Sequence, residues 1–368
     1  MHRLVETIKQ SPPVDVSEPY DVDGVAGKTI LITGGASGFG AAFARKWAAH
    51  GAHIMIGDIN DQAGEAFVAE LRTATGSEHH YYQRCDVADW QSQVSFFQAA
   101  ARLSPTGGID CVVANAGIGE LGGATTGYGL ENPSGLDAES PPAPFLLTLD
   151  INLKGVLYTT HLAIYWLQRN GGGDAAAAGA AGGRLPSKGD RHLLLIGSVA
   201  SMLPLVGQVQ YTAAKHAVLG VFRALRGSVW RQGIRVNLLC PYFVETNIMP
   251  AAGLLMMAGG GLGTVDDVVD AGTRLVADGR IVGRALVIGP RMKVEDGEDG
   301  ETRLVGVPAK GDGGGQGVWE CYAHDFDSVE VFVWKYTRLL NDIVRINGWT
   351  GWLKDVINIL FFRKAGRK

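Results

Sequence analysis

The stretch that decides the fold reads Thr29-Ile-Leu-Ile-Thr33-Gly34-Gly-Ala-Ser37-Gly38-Phe39-Gly40, and it runs on without a helix breaker from Ala41 to His50 before Gly51. Thr29–Thr33 is a short apolar and β-branched run, the pattern of a strand buried on both faces. Ala41–His50 reads as a helix that Gly51 stops. Strand, glycine turn and helix in this order open a dinucleotide-binding unit. The glycines let the backbone approach a pyrophosphate, and the helix N-terminal amides hold its charge. Glycine is abundant here, 52 of 368 residues, so the position of the turn carries more weight than its spacing.

Working outward, the same rhythm repeats. Strands are expected at 53–58, 79–86, 109–114, 191–197, 234–240 and 284–289, with helices at 61–74, 89–103, 146–169, 209–231 and 264–278 between them. This alternation predicts an α/β fold, a doubly wound, parallel, seven-stranded sheet occupying 25–290. Residues 1–24 read as an N-terminal arm on the surface. Two insertions interrupt the domain, one Gly-, Ser- and Pro-rich near 118–144, the other low-complexity at 171–190. Residues 291–368 read as an acidic, Gly-rich linker followed by helical patterns at 328–346 and 350–364.

Composition narrows the function classes. With 46% hydrophobic and 19% charged residues the chain can bury a large core. A net charge of −4 gives no basic field for nucleic acid. Cys85, Cys111, Cys240 and Cys321 are far apart and read as isolated thiols suited to a reducing compartment. The nine His show no metal-ligand spacing, so no metal is expected. No apolar run reaches membrane-spanning length, and a cytoplasmic location is expected.

Two constellations carry chemistry. Asp58 ends the second strand, where a carboxylate can accept both adenosine ribose hydroxyls and would repel a 2′-phosphate. No Lys or Arg occupies 35–39 or 59–60 to attract that phosphate, so NAD is expected over NADP. Farther on, Tyr211 and Lys215 are four apart and share one helix face. A nearby ammonium favours the phenolate and lowers a phenol pKa that is ordinarily about 10. Ser198, at the end of the apolar run His192–Gly197, can hold a substrate oxygen opposite that phenol.

Together these parts resemble the short-chain dehydrogenase/reductase family over about 25–290. Gly34, Gly38 and Gly40, with Ser37 and Phe39 between them, look like its glycine loop. Cys85-Asp86-Val87 looks like its adenine-side acidic turn, and Asn115-Ala116-Gly117 like its strand-end motif. Asn152, Ser198, Tyr211 and Lys215 fall at its four catalytic positions. Pro241-Tyr-Phe-Val244-Glu-Thr246 looks like its segment around the nicotinamide, with Tyr242 where the family usually has Gly. The Arg284–Pro290 end is similar to fungal NAD-dependent members likened to 15-hydroxyprostaglandin dehydrogenases.

The resemblance implies hydride transfer between NAD(H) and an alcohol or ketone. Tyr211 would carry the proton and Ser198 hold the substrate oxygen. Lys215 would bond the nicotinamide ribose, and Asn152 would anchor a water leading from Lys215 to solvent. The adenosine end would be lined by Asp58, Ile59, Asp86 and Val87. Apolar residues before Tyr211 (Met202, Leu203, Leu205, Val206) and after Thr246 (Ile248–Met257) suggest a hydrophobic secondary alcohol. A homo-oligomer is expected. The alternative function is a catalytically idle member serving as a nucleotide sensor or scaffold through its C-terminal extension. The aromatic, basic-ended segment 349–368 either docks on protein or lies peripherally on a membrane, too short to span it.

Overall fold

The computed structural model describes residues 10–120, most of 130–170, 189–244, 261–296, 302–306 and 314–321, with 342 and 349 as single positions. Its frame is built from β1 (Thr29–Thr33), α1 (Gly38–Ala49), β2 (His53–Asp58), α2 (Asp61–Thr75), β3 (His80–Arg84), α3 (Trp90–Leu103) and β4 (Cys111–Ala114). A turn of helix at Leu147–Leu149 and a π segment, Asp150–Gly155, lead into α4 (Val156–Gln168). Then come β5 (His192–Ile196), α5 (Val209–Leu225), β6 (Arg235–Pro241), α6 (Val265–Ala277) and β7 (Ala285–Asp296).

Seven strands pair in parallel in the order β3-β2-β1-β4-β5-β6-β7. All five residues of β1 are buried. Ile30 and Ile32 face a core with α1, α2 and α6, whereas Leu31 faces the other, with α3, α4 and α5. One strand thus serves both layers because successive side chains alternate faces. The strand order reverses between β1 and β4, which opens a crevice at their carboxyl ends, the place where α/β sheets bind ligands.

The sheet does not stop at residue 290. β7 continues to Asp296, β8 (Thr302–Gly306) pairs antiparallel with its far half, and β9 (Gln316–Cys321) pairs antiparallel with its near half. The stretch expected to be a linker therefore supplies two edge strands, giving nine among the described residues rather than seven. Its Gly and charged residues suggested a loop, and an edge strand needs few apolar side chains: in β9 only Gly317 and Val318 are buried.

The arm is fastened as well. Ser11 N–H donates to Val282 O at 3.0 Å, and Val14 N–H to Glu320 Oε2 at 2.5 Å. Arg274 donates to the carbonyls of Asp15, Val16 and Glu18. The expected C-terminal helices apart from single positions, residues 171–188 of the insertion expected at 171–190, and the apolar segment Ile248–Met257 lie outside the described residues, as does Thr246. Among the described residues no helix is long and apolar enough to cross a membrane.

Candidate active site

The glycine turn between β1 and α1 is shaped for close approach. Gly34 has φ 64°, and a side chain on it would meet Ala116. A Cβ on Gly40 would lie 2.5 Å from Gly34 O and 2.7 Å from Asn115 Nδ2, so α1 can begin only if that residue is Gly. Gly38, at φ 54°, has open space beside it. Ser37 is the N-cap of α1 but makes no side-chain cap bond. The amides of the first helical turn are left available to an anion. Asn115 secures the turn from β4, donating to Thr33 O and Gly34 O at 2.9 Å each.

Asp58 closes β2 with both carboxylate oxygens engaged. Oδ2 accepts from Ala36 N–H and Oδ1 from Asn60 N–H, each at 3.1 Å. The carboxylate is thereby aimed at the rim of the glycine turn, and Ile59 lies exposed beside it. Asp86 and Val87 follow β3 at the same end of the sheet. Asp86 accepts from Ala88 N–H at 2.9 Å, and Val87 is buried against Gly155. These residues fit a dinucleotide: a cradle that a Cβ would fill, open helix amides and a carboxylate at the end of the neighbouring strand.

Ser198, Tyr211 and Lys215 converge on the other side of the crevice. Ser198 caps a short 3-10 turn, Val199–Ser201, and its Oγ accepts from Ala200 N–H at 3.1 Å. Tyr211 and Lys215 stand one turn apart on α5, with the ammonium 5.6 Å from the phenol ring centre. Lys215 is buried and donates to Ile196 O at 3.0 Å. Burial pushes its pKa down to about 8.

The phenol behaves differently from the sequence expectation. Burial raises the Tyr211 pKa, and a hydrogen bond with Ser198 works against that rise. The Lys215 ammonium itself is turned to the end of β5, where it donates to Ile196 O.

Asn152 is buried in the π segment, where the widened turn brings its carboxamide to the strand-end loop. Oδ1 accepts from Ile118 N–H at 2.8 Å, and Nδ2 donates to Ile118 O at 2.7 Å. A Cβ on Gly117 would lie 3.2 Å from Asn152 Oδ1 and 3.8 Å from Lys215 Nζ, so Gly117 sits between the two. Pro241 ends β6 with its carbonyl 3.5 Å from Ser198 Oγ. Tyr242 is held by N–H donation to Ile288 O at 2.8 Å, and Val244 bridges to Gly263.

Three contributors escaped the sequence reading. Glu120 Oε2 accepts from Tyr211 N–H at 3.2 Å, while Glu120 N–H donates to Gln208 Oε1 at 3.3 Å. This exchange ties the loop after β4 to the first turn of α5. Cys240, fully buried beside Ser198, Ser201 and Lys215, is the third; burial pushes its thiol up to about 12, so it stays neutral. Gln208 is the N-cap of α5 itself, whereas Glu120 and Cys240 are distant in sequence and reach this helix only through the fold.

Comparisons with known proteins bear on the family and the fold. The family model described as short chain dehydrogenase matches residues 28–253. The chain belongs to the short-chain dehydrogenase family. Its relatives within that family include a 5′-hydroxyaverantin dehydrogenase of Dothistroma septosporum, 34% identical over 76% of this chain and 92% of the relative. The 15-hydroxyprostaglandin dehydrogenase [NAD(+)] of Mus musculus is 28% identical over 61% of this chain and 70% of its own. Among solved structures, the 3-ketoacyl-(acyl-carrier-protein) reductase from Brucella melitensis complexed with NADH superposes with a TM-score of 0.56. It is 25% identical, covering 72% of this chain and 97% of that one. As a short-chain dehydrogenase the chain is an oxidoreductase acting on a small molecule.

Proposed function

We propose that this short-chain dehydrogenase transfers a hydride between NAD(H) and a hydrophobic secondary alcohol or ketone, with Tyr211 as the proton carrier. The observation that carries the reading is the group of buried Ser198, half-buried Tyr211 and buried Lys215 at the sheet's carboxyl end, across the crevice from Asp58. When bound, NAD supplies the hydride acceptor. The α1 amides and Gly34, Gly38 and Gly40 would hold its pyrophosphate, and Asp58 its adenosine ribose. Tyr211 would accept the hydroxyl proton of the alcohol while Ser198 holds the oxygen. Lys215, with a pKa near 8, can exchange a proton close to neutral pH and bond the nicotinamide ribose.

The apolar rim supports the substrate class. Val206 is 98% exposed, and Leu203, Phe145 and Leu146 are also exposed around the start of α5. Gln210 Nε2 anchors the Phe145 carbonyl at 2.9 Å, which brings the loop before α4 to the same mouth. Such a surface suits a bulky apolar alcohol more than a charged metabolite. By likeness to its Dothistroma relative, 5′-hydroxyaverantin is the first compound to try. The test follows NADH absorbance with a panel of lipophilic secondary alcohols and ketones, alongside small polar alcohols. Turnover confined to the polar alcohols would defeat the substrate reading, and turnover with none would defeat the enzyme reading.

A further inference from the structure

The turn after β2 is closed from the side by β3. In the parallel ladder Asp58 stands opposite Arg84. The Arg84 guanidinium donates to Ile59 O and lies 3.3 Å from Asp61 Oδ2. Tyr82 donates its hydroxyl to Asp61 Oδ1 at 2.6 Å and reaches Asp58 O at 3.0 Å. A cation thus stands next to the ribose-side carboxylate even though the sequence around Asp58 holds none. It arrives from the neighbouring strand, and Asp61 keeps it occupied.

We propose that cofactor choice in this enzyme is set by Asp58 and Asp61 acting against Arg84: Arg84 is a built-in ligand for a 2′-phosphate, which Asp61 masks by ion pairing while Asp58 repels the phosphate. The proposal rests on the NAD reading above and names the residues that enforce it. Asp58 alone explains repulsion but not why an arginine one strand away fails to offset it. The Arg84–Asp61 pair is exposed, 60% and 55% for the two side chains, so it is weakly held and releasable. A guanidinium freed from Asp61 has the fork geometry that phosphate oxygens prefer. Asp61 is also the first residue of α2, where the helix dipole favours a carboxylate, so the mask has a structural reason to stay in place.

The experiment measures dissociation constants by NAD(P)H fluorescence and by calorimetry with 2′,5′-ADP against 5′-ADP. The proteins are wild type, D61N, D58N, D58N/D61N and each of these with R84Q. D61N removes the charge while keeping an oxygen for the Tyr82 hydroxyl, and melting curves confirm folding. The expected result is a stepwise gain for 2′,5′-ADP relative to 5′-ADP. D61N should give about threefold and D58N/D61N upwards of about tenfold, the size of one recovered charge-assisted contact. R84Q should erase the gain in every background. If the double variant does not fold, the D61N and D61N/R84Q pair carries the same test. A gain that survives R84Q, or no gain on removing Asp61, overturns the proposal. A wild type that binds NADPH as tightly as NADH defeats the NAD reading instead. R84Q in that wild type then decides separately whether Arg84 touches the phosphate: a fall in 2′,5′-ADP affinity keeps the assignment, and no fall ends it.

Discussion

Two buried lysines at opposite ends of the same sheet show how differently one fold treats a charge. Lys28, 4% exposed, lies at the amino end of β1. It donates to Asp190 Oδ2 and to Val276 O, both at 2.7 Å, and Asp190 also takes Arg235 at 2.6 and 2.8 Å. Burial by itself would push the Asp190 carboxyl up, but Arg235 and Lys28 overcome it and hold the group well below the usual carboxylate range. Lys215, 5% exposed, lies at the carboxyl end with one carbonyl, Ile196 O, and no carboxylate within salt-bridge distance among the described residues. The first lysine is part of a satisfied ion-pair network that fastens strands. The second is left uncompensated, which makes its proton easy to remove. The difference separates a structural end from a chemical end.

The sharpest way to break this comparison is at Tyr211. Tyr211→Phe should lower turnover by about a thousandfold, within the range of a lost general acid–base group, with NADH affinity and melting temperature nearly retained. Turnover above a few per cent of wild type, followed by NADH absorbance, would remove Tyr211 from the proton path. At the other end the expected effect is on stability. Asp190→Asn leaves Lys28 and Arg235 facing each other without a counter-charge and should cost about 3–5 kcal/mol in urea unfolding. Activity of the remaining folded fraction should change little, and a stability loss under about 1 kcal/mol would show that solvent already relieves the cluster.

Lys215→Met sharpens the contrast from the chemical side. It should abolish turnover yet leave stability at pH 7 equal to or above that of wild type. The sign follows from the lowered pKa. Below about 8 the lysine is protonated in both folded and unfolded chains, so the burial penalty is present in full. Between about 8 and the ordinary 10.5 the folded protein has lost the proton that the unfolded chain still holds, so wild-type stability rises with pH there. The advantage of Lys215→Met should shrink over that window, and unfolding at several pH values checks it. A variant less stable than wild type at pH 7 would mean that Lys215 is better compensated than its contacts indicate.

The smallest effect is expected where the chain crosses the amino end. Asn170 donates to Asp110 Oδ1 and Asp190 O, and its carbonyl accepts from Arg191, so the two flanks of the 171–188 insertion are clasped by their own hydrogen bonds. Replacing 172–188 by a short Gly-Ser linker should shift the melting temperature by only a few degrees, because loop closure depends weakly on length. A larger fall would assign that insertion a packing role.

What the sequence determined is local. Thr29–Thr33 with its glycine turn announces a strand, a sharp bend and a helix through three apolar residues between two β-branched threonines and the absence of side chains where the backbone must close up. The Tyr211–Lys215 spacing places both groups on one side of α5 because a helix repeats nearly every four residues. Those features depend on neighbours in the chain, so one dimension suffices to read them. What the tertiary structure decided is which distant residues share a desolvated space. Residues 316–321 read as linker because an edge strand has no strong pattern of its own, and its partner, β7, lies about 30 residues upstream. Arg84 was passed over beside Asp58 because strand register, not sequence distance, makes them neighbours. Lys28 and Lys215 are the same residue type with similar burial; the Tyr211 spacing marks Lys215 in the sequence, but nothing near either lysine shows whether a carboxylate will meet it. Only the fold brings a carboxylate to the first and withholds it from the second, and inside a protein that difference in counter-charge sets both the stability and the proton affinity of the site.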